Sequence, residues 1–398
     1  MSTKHLIVGG GVAGTVAAET LREIDRSYKI TILAEERYPL YNRCSLPPLL
    51  RRMMPRESVF LRTLESYSDA GIEVLWGRKA VKVDTDYRTV TTDEGEDFCF
   101  DRLLVATGGT PSRLMVPGAM HERVNYFQYL SEVEKLDTQM DDTANALILG
   151  GGFIAYELCD ACLSRGLSVT WATRGPRFLR RYLDEEAGAV VDAIATKNGA
   201  QVVHEEEVSE VIPQDGFLLR VKMESGQYFE TDLLACGVGL SMNVDFLRDT
   251  SVEIGKGVLV NEYLESSVPG IFAAGDVAET YYPRLGEYRI LANWNKAIEQ
   301  GKIAGKNMTG MKEKYYGVPV YVSGLFDSRI MLIGLPDPSA AGLRGIVSLD
   351  LKRHKYRKLY FMGRRLAGAV LIGDFRGWKE LRNLVEAQEP VISPESFL

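Results

Sequence analysis

Short apolar runs that end on glycines recur along this chain. Residues 5–8 are mostly apolar and run directly into three glycines, and residues 146–149 do the same. A predicted helix follows each turn, and a second apolar run follows each helix, at residues 29–33 and 167–172. An apolar run that meets a glycine turn is typical of a buried parallel strand. The pattern therefore predicts an α/β chain with two strand–turn–helix–strand units.

The first glycine turn has the spacing of a dinucleotide-binding fingerprint. Gly9, Gly11 and Gly14 fit G-x-G-x-x-G between the strand and a helix predicted at residues 15–24. In that motif the first glycine permits the turn, the second lets the backbone approach a pyrophosphate, and the third lets helix and strand pack closely. The pyrophosphate would lie at the helix N-terminus, where free N–H groups favour anions. Glu35 ends the second strand and is placed to accept a hydrogen bond from a ribose hydroxyl.

The same motif occurs again at Gly150, Gly152 and Ala155, with alanine in place of the third glycine. Strand, spacing and helix agree in both copies. Two such units predict two bound dinucleotides. The alternative is a pair of glycine turns in an α/β sheet that binds no nucleotide.

The composition is that of a globular protein. The chain has 398 residues, of which 45% are hydrophobic and 25% charged, which predicts two or three domains. A net charge of -7 argues against general nucleic-acid binding. No apolar run reaches the ~18 residues of a membrane helix, and the chain enters its first strand almost at once, so we expect no signal peptide. Five scattered cysteines favour reduced thiols in the cytoplasm over a disulfide framework.

Shorter elements are predicted between and after the two units. Residues 37–48 contain three prolines and predict a loop. Cys99 and Cys236 fall on predicted strands and are expected in the core. Cys159 and Cys162 form a C-x-x-C on a predicted helix without a nearby histidine, which favours packing over metal binding. Further strands are predicted at residues 72–74, 80–83, 88–92, 97–100, 320–322, 329–334, 345–349, 356–361 and 365–372, and a last helix at 378–385.

Two further segments carry a specific resemblance. Residues 101–111 predict a buried strand that enters the turn Ala106-Thr107-Gly108, and residues 269–278 place Gly275-Asp276 after another strand. The first resembles the closing A-T-G segment, and the second resembles the second FAD motif, of glutathione-reductase-like flavoproteins. The resemblance implies an α/β fold with two Rossmann-like dinucleotide-binding domains, each of three layers (β/β/α), and a small α+β C-terminal domain.

The resemblance covers nearly the whole chain and implies its domain order. An FAD-binding domain is expected at residues 1–115 and 244–316, an inserted NAD(P)H-binding domain at 116–243, and a C-terminal interface domain at 317–398. The last part is similar to that of rubredoxin and ferredoxin reductases. The implied activity is that of an FAD-dependent NAD(P)H oxidoreductase. Hydride transfer between two cofactors needs no catalytic triad from the protein.

The resemblance also implies which residues bind each cofactor. In that family Asp276 would hold a ribityl hydroxyl of the flavin. The helix that begins with Asn293-Trp294 would point at the flavin pyrimidine edge, although core packing explains Trp294 equally well. The residues expected at FAD are Gly9, Gly11, Ala13, Gly14, Glu35, Glu36, Arg43, Cys44, Val81, Ala106, Thr107, Gly108, Gly275, Asp276, Asn293 and Trp294. Those expected at NAD(P)H are Gly150, Gly152, Phe153, Ile154, Glu157, Thr173, Arg174, Arg180, Gly237, Val238 and Gly239.

The end of the second strand in the nicotinamide unit favours NADPH over NADH. NAD-specific units place a carboxylate there, which bonds the ribose hydroxyls and would repel a 2′-phosphate. This chain has Thr173 at that position, followed by Arg174 and three more arginines up to residue 181. In the resembling class, alanine at the third glycine position, here Ala155, often accompanies NADPH. The alternative is NADH held by backbone contacts.

The acceptor of the electrons is left open by these motifs. The C-x-x-x-x-C of disulfide reductases is absent from the sequence. The segment Asn42-Arg43-Cys44-Ser45-Leu46-Pro47 partly resembles the N-C-x-L-P of coenzyme A disulfide reductases, NADH oxidases and peroxidases, in which Cys44 would be redox-active. The same loop resembles the Y-x-R segment of rubredoxin reductases and of the flavin part of nitrite reductases, in which Cys44 would only fill space. The short C-terminal domain favours the second resemblance. The electron acceptor would then be a ferredoxin, a rubredoxin or another iron–sulfur carrier.

Three expectations concern partners. The chain could instead be a flavin relay subunit that passes electrons only inside a complex. The basic stretch at residues 352–358 could dock an acidic carrier or form a solvated hairpin. Because relatives in the resembling family are often dimers, a homodimer or a complex subunit is expected. The four histidines form no ligand pattern, so no metal site is expected.

Overall fold

A computed structural model describes residues 2–282, 286–334 and 337–398. Its helices are α1 (Val12–Ile24), α2 (Leu46–Leu50), α3 (Leu64–Asp69), α4 (Leu130–Met140), α5 (Phe153–Ser164), α6 (Glu185–Lys197), α7 (Trp294–Met308) and α8 (Trp378–Ala387). Its strands are β1 (Lys4–Val8), β2 (Lys29–Ala34), β3 (Glu73–Trp76), β4 (Ala80–Asp84), β5 (Thr89–Thr92), β6 (Asp97–Cys99), β7 (Arg102–Val105), β8 (Gly109–Pro111), β9 (Val124–Tyr126), β10 (Asn145–Leu149), β11 (Ser168–Thr173), β12 (Ala200–His204), β13 (Val208–Pro213), β14 (Leu219–Met223), β15 (Tyr228–Thr231), β16 (Leu233–Cys236), β17 (Leu240–Met242), β18 (Val258–Val260), β19 (Ile271–Ala273), β20 (Ala278–Tyr282), β21 (Glu287–Arg289), β22 (Val320–Leu325), β23 (Ser328–Ile333), β24 (Leu343–Asp350), β25 (Lys355–Met362) and β26 (Arg365–Ile372).

The described residues divide into two units. The first contains Met1–Ser45, Met54–Thr110 and Leu240–Gly317, and the second contains Leu46–Met53, Pro111–Gly239 and Val318–Leu398. The C-terminal residues therefore belong to the same unit as the second glycine turn. The three-part division expected from the sequence, with its boundaries, stays a prediction.

The first unit is built on a five-stranded parallel sheet in the order β19-β7-β1-β2-β3. From β1 the chain adds β2 and β3 on one side, and later β7 and β19 on the other. The strand order thus reverses between β1 and β7. Ligands of open α/β sheets bind outside the carboxyl ends of the strands at such a point.

The core of this sheet explains why its strands are apolar throughout. Ile7 of β1 lies opposite Ile32 of β2 and Leu104 of β7, and all three side chains are 0% exposed. Both faces of such a sheet are covered, so no alternation of polar residues is required. Smaller sheets complete the unit: β4-β5-β6 is antiparallel, and β18-β20-β21 joins a parallel to an antiparallel pair.

Helices α1 and α7 pack through their backbones. A β-carbon on Gly301 of α7 would lie 2.5 Å from the carbonyl oxygen of Ala13, and one on Gly305 would lie 2.9 Å from that of Ala17. Both distances are shorter than a carbon–oxygen contact allows. The two glycines and two alanines therefore fix how closely α7 approaches the start of α1.

The second unit repeats the first arrangement. Its parallel sheet has the order β12-β11-β10-β16-β9, so the strand order reverses between β10 and β16. An antiparallel sheet, β13-β14-β15, belongs to the same half. The C-terminal residues form a five-stranded antiparallel sheet, β22-β23-β26-β25-β24, against which α8 buries Leu381 and Val385.

The structure confirms the mixed α/β class with two dinucleotide-type units and a C-terminal sheet domain. Some details of the sequence prediction are wrong. Part of the predicted loop at residues 37–48 is the helix α2, whose first turn contains Pro47 and Pro48. The first turn of a helix needs no backbone N–H for its own hydrogen bonds, so proline is tolerated there. Cys99 is exposed rather than buried, because β6 is an edge strand and its residues alternate outward.

We predict that Gly301→Ala destabilises the protein by about 1–3 kcal/mol, the usual cost of overpacking. The new methyl group would force α7 away from the Ala13 backbone. The measurement is the free energy of unfolding in urea. Gly324→Ala is the control, because its β-carbon would meet nothing within 4 Å. If helix propensity alone mattered, Gly301→Ala would stabilise the protein by up to ~1 kcal/mol, and that result would contradict the prediction.

Candidate functional site

The first glycine turn is closed by backbone contacts on two sides and open on the third. Gly9 has a φ of +118°, and its β-carbon would lie 2.2 Å from the carbonyl oxygen of Ala106. A β-carbon on Gly14 would lie 2.0 Å from the carbonyl oxygen of Gly9, whereas one on Gly11 would meet nothing within 4 Å. The turn thus leaves open space in front of the first N–H groups of α1. A helix N-terminus with such space favours an anion.

The end of β19 is brought to the same place. A β-carbon on Gly275 would lie 3.1 Å from the β-carbon of Ala13, next to the glycine turn. The Gly275 N–H donates to Oε1 of Gln300 on α7 at 2.9 Å. Asp276 follows directly and accepts a hydrogen bond from the backbone of Asn293. Three elements distant in sequence therefore meet where the sequence motifs predicted a flavin site.

The first turn of α7 forms one wall of this site. The Asn293 side chain caps the helix by accepting from the N–H of Lys296 at 3.0 Å. Trp294 is half-buried, which leaves its two interpretations open. Lys296 and Gln300 are buried, and neither Nζ of Lys296 nor Nε2 of Gln300 has a hydrogen-bond partner among the described residues.

Charge is concentrated at this wall. Burial raises the pKa of the Asp276 carboxyl above its usual range, and the positive charges of Lys296 and Arg43 oppose that rise. Nη2 of Arg43 also donates to the Glu36 carboxylate at 2.6 Å, and the Tyr41 hydroxyl donates to its other oxygen at 2.7 Å. Glu36 therefore orders the loop that carries Arg43.

Several predicted residues lie further out. Glu35 is exposed and pairs with Nζ of Lys79 at 2.9 Å. Val81 is 47% exposed on β4, two residues after Lys79. Cys44 is exposed in the 3₁₀ turn Arg43–Ser45. Thr107 is held by Asn243, to whose carbonyl its hydroxyl donates at 2.8 Å. Gly108 has a φ of +60° in the same turn.

The second glycine turn has the same construction, with alanine at its third position. Gly150 has a φ of +130°, and its β-carbon would lie 2.2 Å from the carbonyl oxygen of Gly237. Gly152 is open, with nothing within 4 Å of its β-carbon position. A β-carbon on Gly150 would also lie 3.1 Å from the β-carbon of Ala155, which occupies the third position of the motif. The indole of Trp171 holds the turn by donating to the Gly150 carbonyl at 2.8 Å.

Thr173, at the end of β11, is buried and its hydroxyl bonds within the protein. It is 0% exposed, and its Oγ1 lies 2.8 Å from both the Gly175 carbonyl, to which it donates, and Nδ1 of His204. Nε2 of His204 in turn contacts Oδ2 of Asp192 at 2.8 Å. His204 and Asp192 were missed by the sequence analysis, since neither belongs to a motif. Their effect is to hold the Thr173 hydroxyl inside the protein.

The arginines after Thr173 differ in their surroundings. Arg174 is exposed and pairs with Glu207 at 3.3 Å, with both side chains more than half exposed. The Arg180 side chain packs over Gly175, where a β-carbon would lie 2.7 Å from its Cδ. Arg177 is turned away, because its Nε donates to the Leu183 carbonyl at 2.8 Å. Arg181 is exposed.

The start of α5 contacts the C-terminal sheet, which the sequence analysis did not anticipate. Phe153 stacks on Tyr321 with ring centroids 6.0 Å apart and an interplanar angle of 6°. One turn later, the Glu157 carboxylate accepts from the Ser323 hydroxyl at 3.3 Å. Burial raises the pKa of Glu157 to about 7. Ile154 is half-buried between them, and Val238 and Gly239 are exposed after β16.

Comparison with known sequences decides the family. The pyridine nucleotide-disulphide oxidoreductase profile matches residues 3–301, and the rubredoxin NAD+ reductase C-terminal domain profile matches residues 325–389. The chain belongs to the pyridine nucleotide-disulphide oxidoreductases. Members of this family are FAD-dependent NAD(P)H oxidoreductases.

Similar sequences include two curated enzymes. Rhodocoxin reductase of Rhodococcus erythropolis is 27% identical over 98% of this chain and 91% of its own length. Nitrite reductase [NAD(P)H] of Bacillus subtilis is 27% identical over 98% of this chain, but the chain spans only 48% of that enzyme.

Solved structures below 25% identity show the same fold. The ferredoxin reductase for the CYP199A2 system of Rhodopseudomonas palustris has a TM-score of 0.91, with 24% identity over 98% of this chain and 96% of that chain. An engineered water-forming NADPH oxidase, solved with NADPH, also has a TM-score of 0.91, with 22% identity over 98% of this chain and 92% of that chain. It is a five-site mutant of the water-forming NADH oxidase of Lactobacillus brevis, which is solved with NADH.

The residues of the first unit fit FAD. The space at Gly11 suits a pyrophosphate that approaches the backbone of α1. Nζ of Lys296 and Nε2 of Gln300 are buried polar groups that a bound polar molecule would satisfy. Gly11, Asp276 and the first turn of α7 are therefore the groups that would hold the cofactor.

The remaining cysteines are structural in their surroundings. Cys159 and Cys162 are each 0% exposed on α5, and burial raises the pKa of Cys162 to about 12. Cys236 is buried at the end of β16, as the sequence predicted. Thiols that stay protonated are poor nucleophiles and poor metal ligands.

Across residues 2–282, 286–334 and 337–398, no helix is long and apolar enough to cross a membrane.

We predict that Glu157 makes stability fall as pH rises. Because its folded-state pKa is about 7 against an ordinary 4.5, folding favours the protonated carboxyl. That contribution is complete below pH 4.5 and is lost as the pH passes 7, a change of roughly 3 kcal/mol. Glu157→Gln should therefore gain stability relative to the wild type between pH 5 and 8, measured by urea unfolding at each pH.

The control for this experiment is Glu224→Gln, which neutralises an exposed carboxylate of the same unit. Its unfolding free energy should follow the wild-type pH profile. Parallel profiles for Glu157→Gln and the wild type would show that Glu157 is ionised normally in the folded protein.

Proposed function

We propose that this enzyme oxidises NADPH and passes the electrons singly to an iron–sulfur protein of the ferredoxin or rubredoxin type. The observation that carries the choice of donor is the end of β11, where a buried Thr173 replaces a carboxylate and exposed arginines follow. FAD, when bound, supplies the chemistry, because it accepts a hydride and releases electrons one at a time. The protein supplies position and charge.

The charges at β11 support a 2′-phosphate site. A carboxylate at Thr173 would repel the phosphate, whereas guanidinium groups bind phosphate oxygens by charge-assisted hydrogen bonds. Arg174 is exposed, and its partner Glu207 is exposed as well, so a phosphate can compete for the guanidinium. Arg180 packs over Gly175 beside it.

The engineered NADPH oxidase supports the same choice. Its first two substitutions replace a glycine by alanine and, 18 residues later, an aspartate by alanine. The two residues after that aspartate become arginine and serine, and a proline five residues further becomes arginine. Counted from Ala155, the same steps fall on Thr173, Arg174, Gly175 and Arg180. This chain thus has the alanine and both arginines at matching positions, and it lacks the aspartate.

We predict that Arg174→Ala and Arg180→Ala each lower kcat/KM for NADPH about tenfold, since each removes a charged hydrogen bond. The value for NADH should stay within about twofold, because NADH has no 2′-phosphate. Steady-state reduction of ferricyanide with each nucleotide measures both. Arg181→Ala is the matched control, as it removes an exposed arginine outside the substituted positions.

If the wild type prefers NADH, or if all three arginine variants lose activity with both nucleotides equally, the NADPH proposal is wrong. NADH held by backbone contacts would then be the better explanation of the site.

The C-terminal domain supports an iron–sulfur acceptor. Residues 325–389 match the C-terminal domain of rubredoxin NAD+ reductases. Rhodocoxin reductase, one of the similar curated enzymes, is matched over 91% of its own length. The basic stretch at 352–358 does not form one solvent-facing docking patch, however. Arg357 is buried and donates to the Arg376 carbonyl at 2.8 Å, and Lys358 pairs with Asp184 at 2.5 Å. Of the five Lys and Arg residues in this stretch, only three are exposed: Lys352, Arg353 and Lys355.

We predict that Cys44→Ser leaves the reduction of ferredoxin and of ferricyanide within about twofold of the wild type. One-electron transfer from flavin to an iron–sulfur centre requires no thiol. Anaerobic stopped-flow reduction with NADPH gives a second readout, because an active Cys44 thiolate beside the flavin would produce a long-wavelength absorption band in the wild type.

A tenfold loss in Cys44→Ser, or the appearance of that band, would instead indicate thiol, persulfide or peroxide chemistry at Cys44. A homodimeric state and a cytoplasmic location stay predictions that these experiments do not address.

A further inference from the structure

Lys296 is a buried lysine for which the nucleotide motifs give no reason. It lies in the first turn of α7 and is 7% exposed. Its Nζ makes no hydrogen bond to any described residue. Three other charged side chains also have a buried atom without a partner: Arg22, Arg51 and Asp192. Each of these three side chains makes a hydrogen bond through another nitrogen or oxygen of its guanidinium or carboxylate group. The ammonium of Lys296 has only one nitrogen and therefore has no such second atom.

The protein alone satisfies this charge poorly. Burying an ammonium is costly unless it is both paired and hydrogen-bonded. Burial lowers the pKa of Lys296 to about 8, and the nearby negative charge of Asp276 only partly opposes the change. Arg43 is a second cation that acts on Asp276. The carboxylate is thus shared by two cations, and the ammonium lacks a hydrogen-bond acceptor.

The surroundings of Lys296 belong to the FAD site. The next residue, Ala297, has its β-carbon 3.7 Å from the position of a β-carbon on Gly275. One turn later, Gln300 accepts from the Gly275 N–H, and Gly301 rests on the Ala13 carbonyl. The segment that carries Lys296 therefore packs against both the first glycine turn and the end of β19.

We propose that Lys296 is an electrostatic contact of the flavin and that its ammonium favours the reduced cofactor over the oxidised one. Two-electron reduction places negative charge on the flavin at neutral pH, and a cation in a buried wall stabilises that charge. The N-terminus of α7 acts in the same direction through the helix dipole. Lys296 and the helix thus combine a full and a partial positive charge at one wall.

The test is the two-electron midpoint potential of the bound flavin, measured by equilibration with reference dyes. Lys296→Met and Lys296→Gln remove the charge and should lower the potential; each tenfold loss of preference for the reduced form is about 30 mV. Lys296→Arg keeps the charge and should stay near the wild type. Lys302→Met is the matched control, because it removes an exposed lysine from the same helix and should leave the potential unchanged.

Each outcome decides the assignment. Potentials of the two neutral variants that equal or exceed the wild-type value would show that Lys296 only balances Asp276, and would overturn the proposal. If the neutral variants lose FAD while Lys296→Arg retains it, the charge is needed to hold the cofactor, which supports the contact. Loss of FAD from all three variants would mean that the site requires the shape of lysine, which overturns the electrostatic role. The experiment uses neither nucleotide nor carrier, so it stands apart from the proposed function.

Discussion

The structure depends on backbone atoms that meet where a strand enters a helix. At Gly9 and at Gly150 a β-carbon would lie 2.2 Å from the carbonyl oxygen that follows the neighbouring strand. Only glycine permits that approach, and it brings each helix N-terminus to the point where the strand order of its sheet reverses. The open space at Gly11 and Gly152 is then a consequence of the packing. Anion binding at both turns therefore follows from how helix and sheet fit together.

The sequence was sufficient where the signal is local. Apolar runs that end on glycine gave both parallel sheets, because such strands are buried on both faces and need no partner to be recognised. Local rules failed where a distant partner decides. The two prolines that suggested a loop are a separate, local case, because they occupy the first turn of α2, where proline is tolerated. Lys358 belongs to a basic stretch, but its charge is neutralised by Asp184, which lies 174 residues away.

The same distinction divides the candidate sites. Gly275 and Asp276 were found because they belong to a motif with fixed spacing, whereas His204 was missed because its contact with Thr173 joins two separate strands. Lys296 was missed for another reason: a lysine on an amphipathic helix is ordinarily solvent-exposed. One signal was present, since Lys296, Gln300 and Asn307 all lie on the buried side of α7, where apolar residues are expected. Polar residues at helical spacing on a buried face indicate a site or an internal network.

Burial of charge does not by itself mark a cofactor site, and this chain contains the comparison that shows why. Asp184 is partly buried, but it accepts from Tyr356 at 2.7 Å and from Lys358 at 2.5 Å, so its charge is satisfied within the protein. Burial is more complete at Lys296, and there the hydrogen bonds are missing among the described residues. A folded protein retains an unsatisfied charge only if something offsets its cost. At Asp184 the offset is an internal network that joins the start of α6 to β25. At Lys296 the neighbouring glycine turn indicates that the bound cofactor provides the offset.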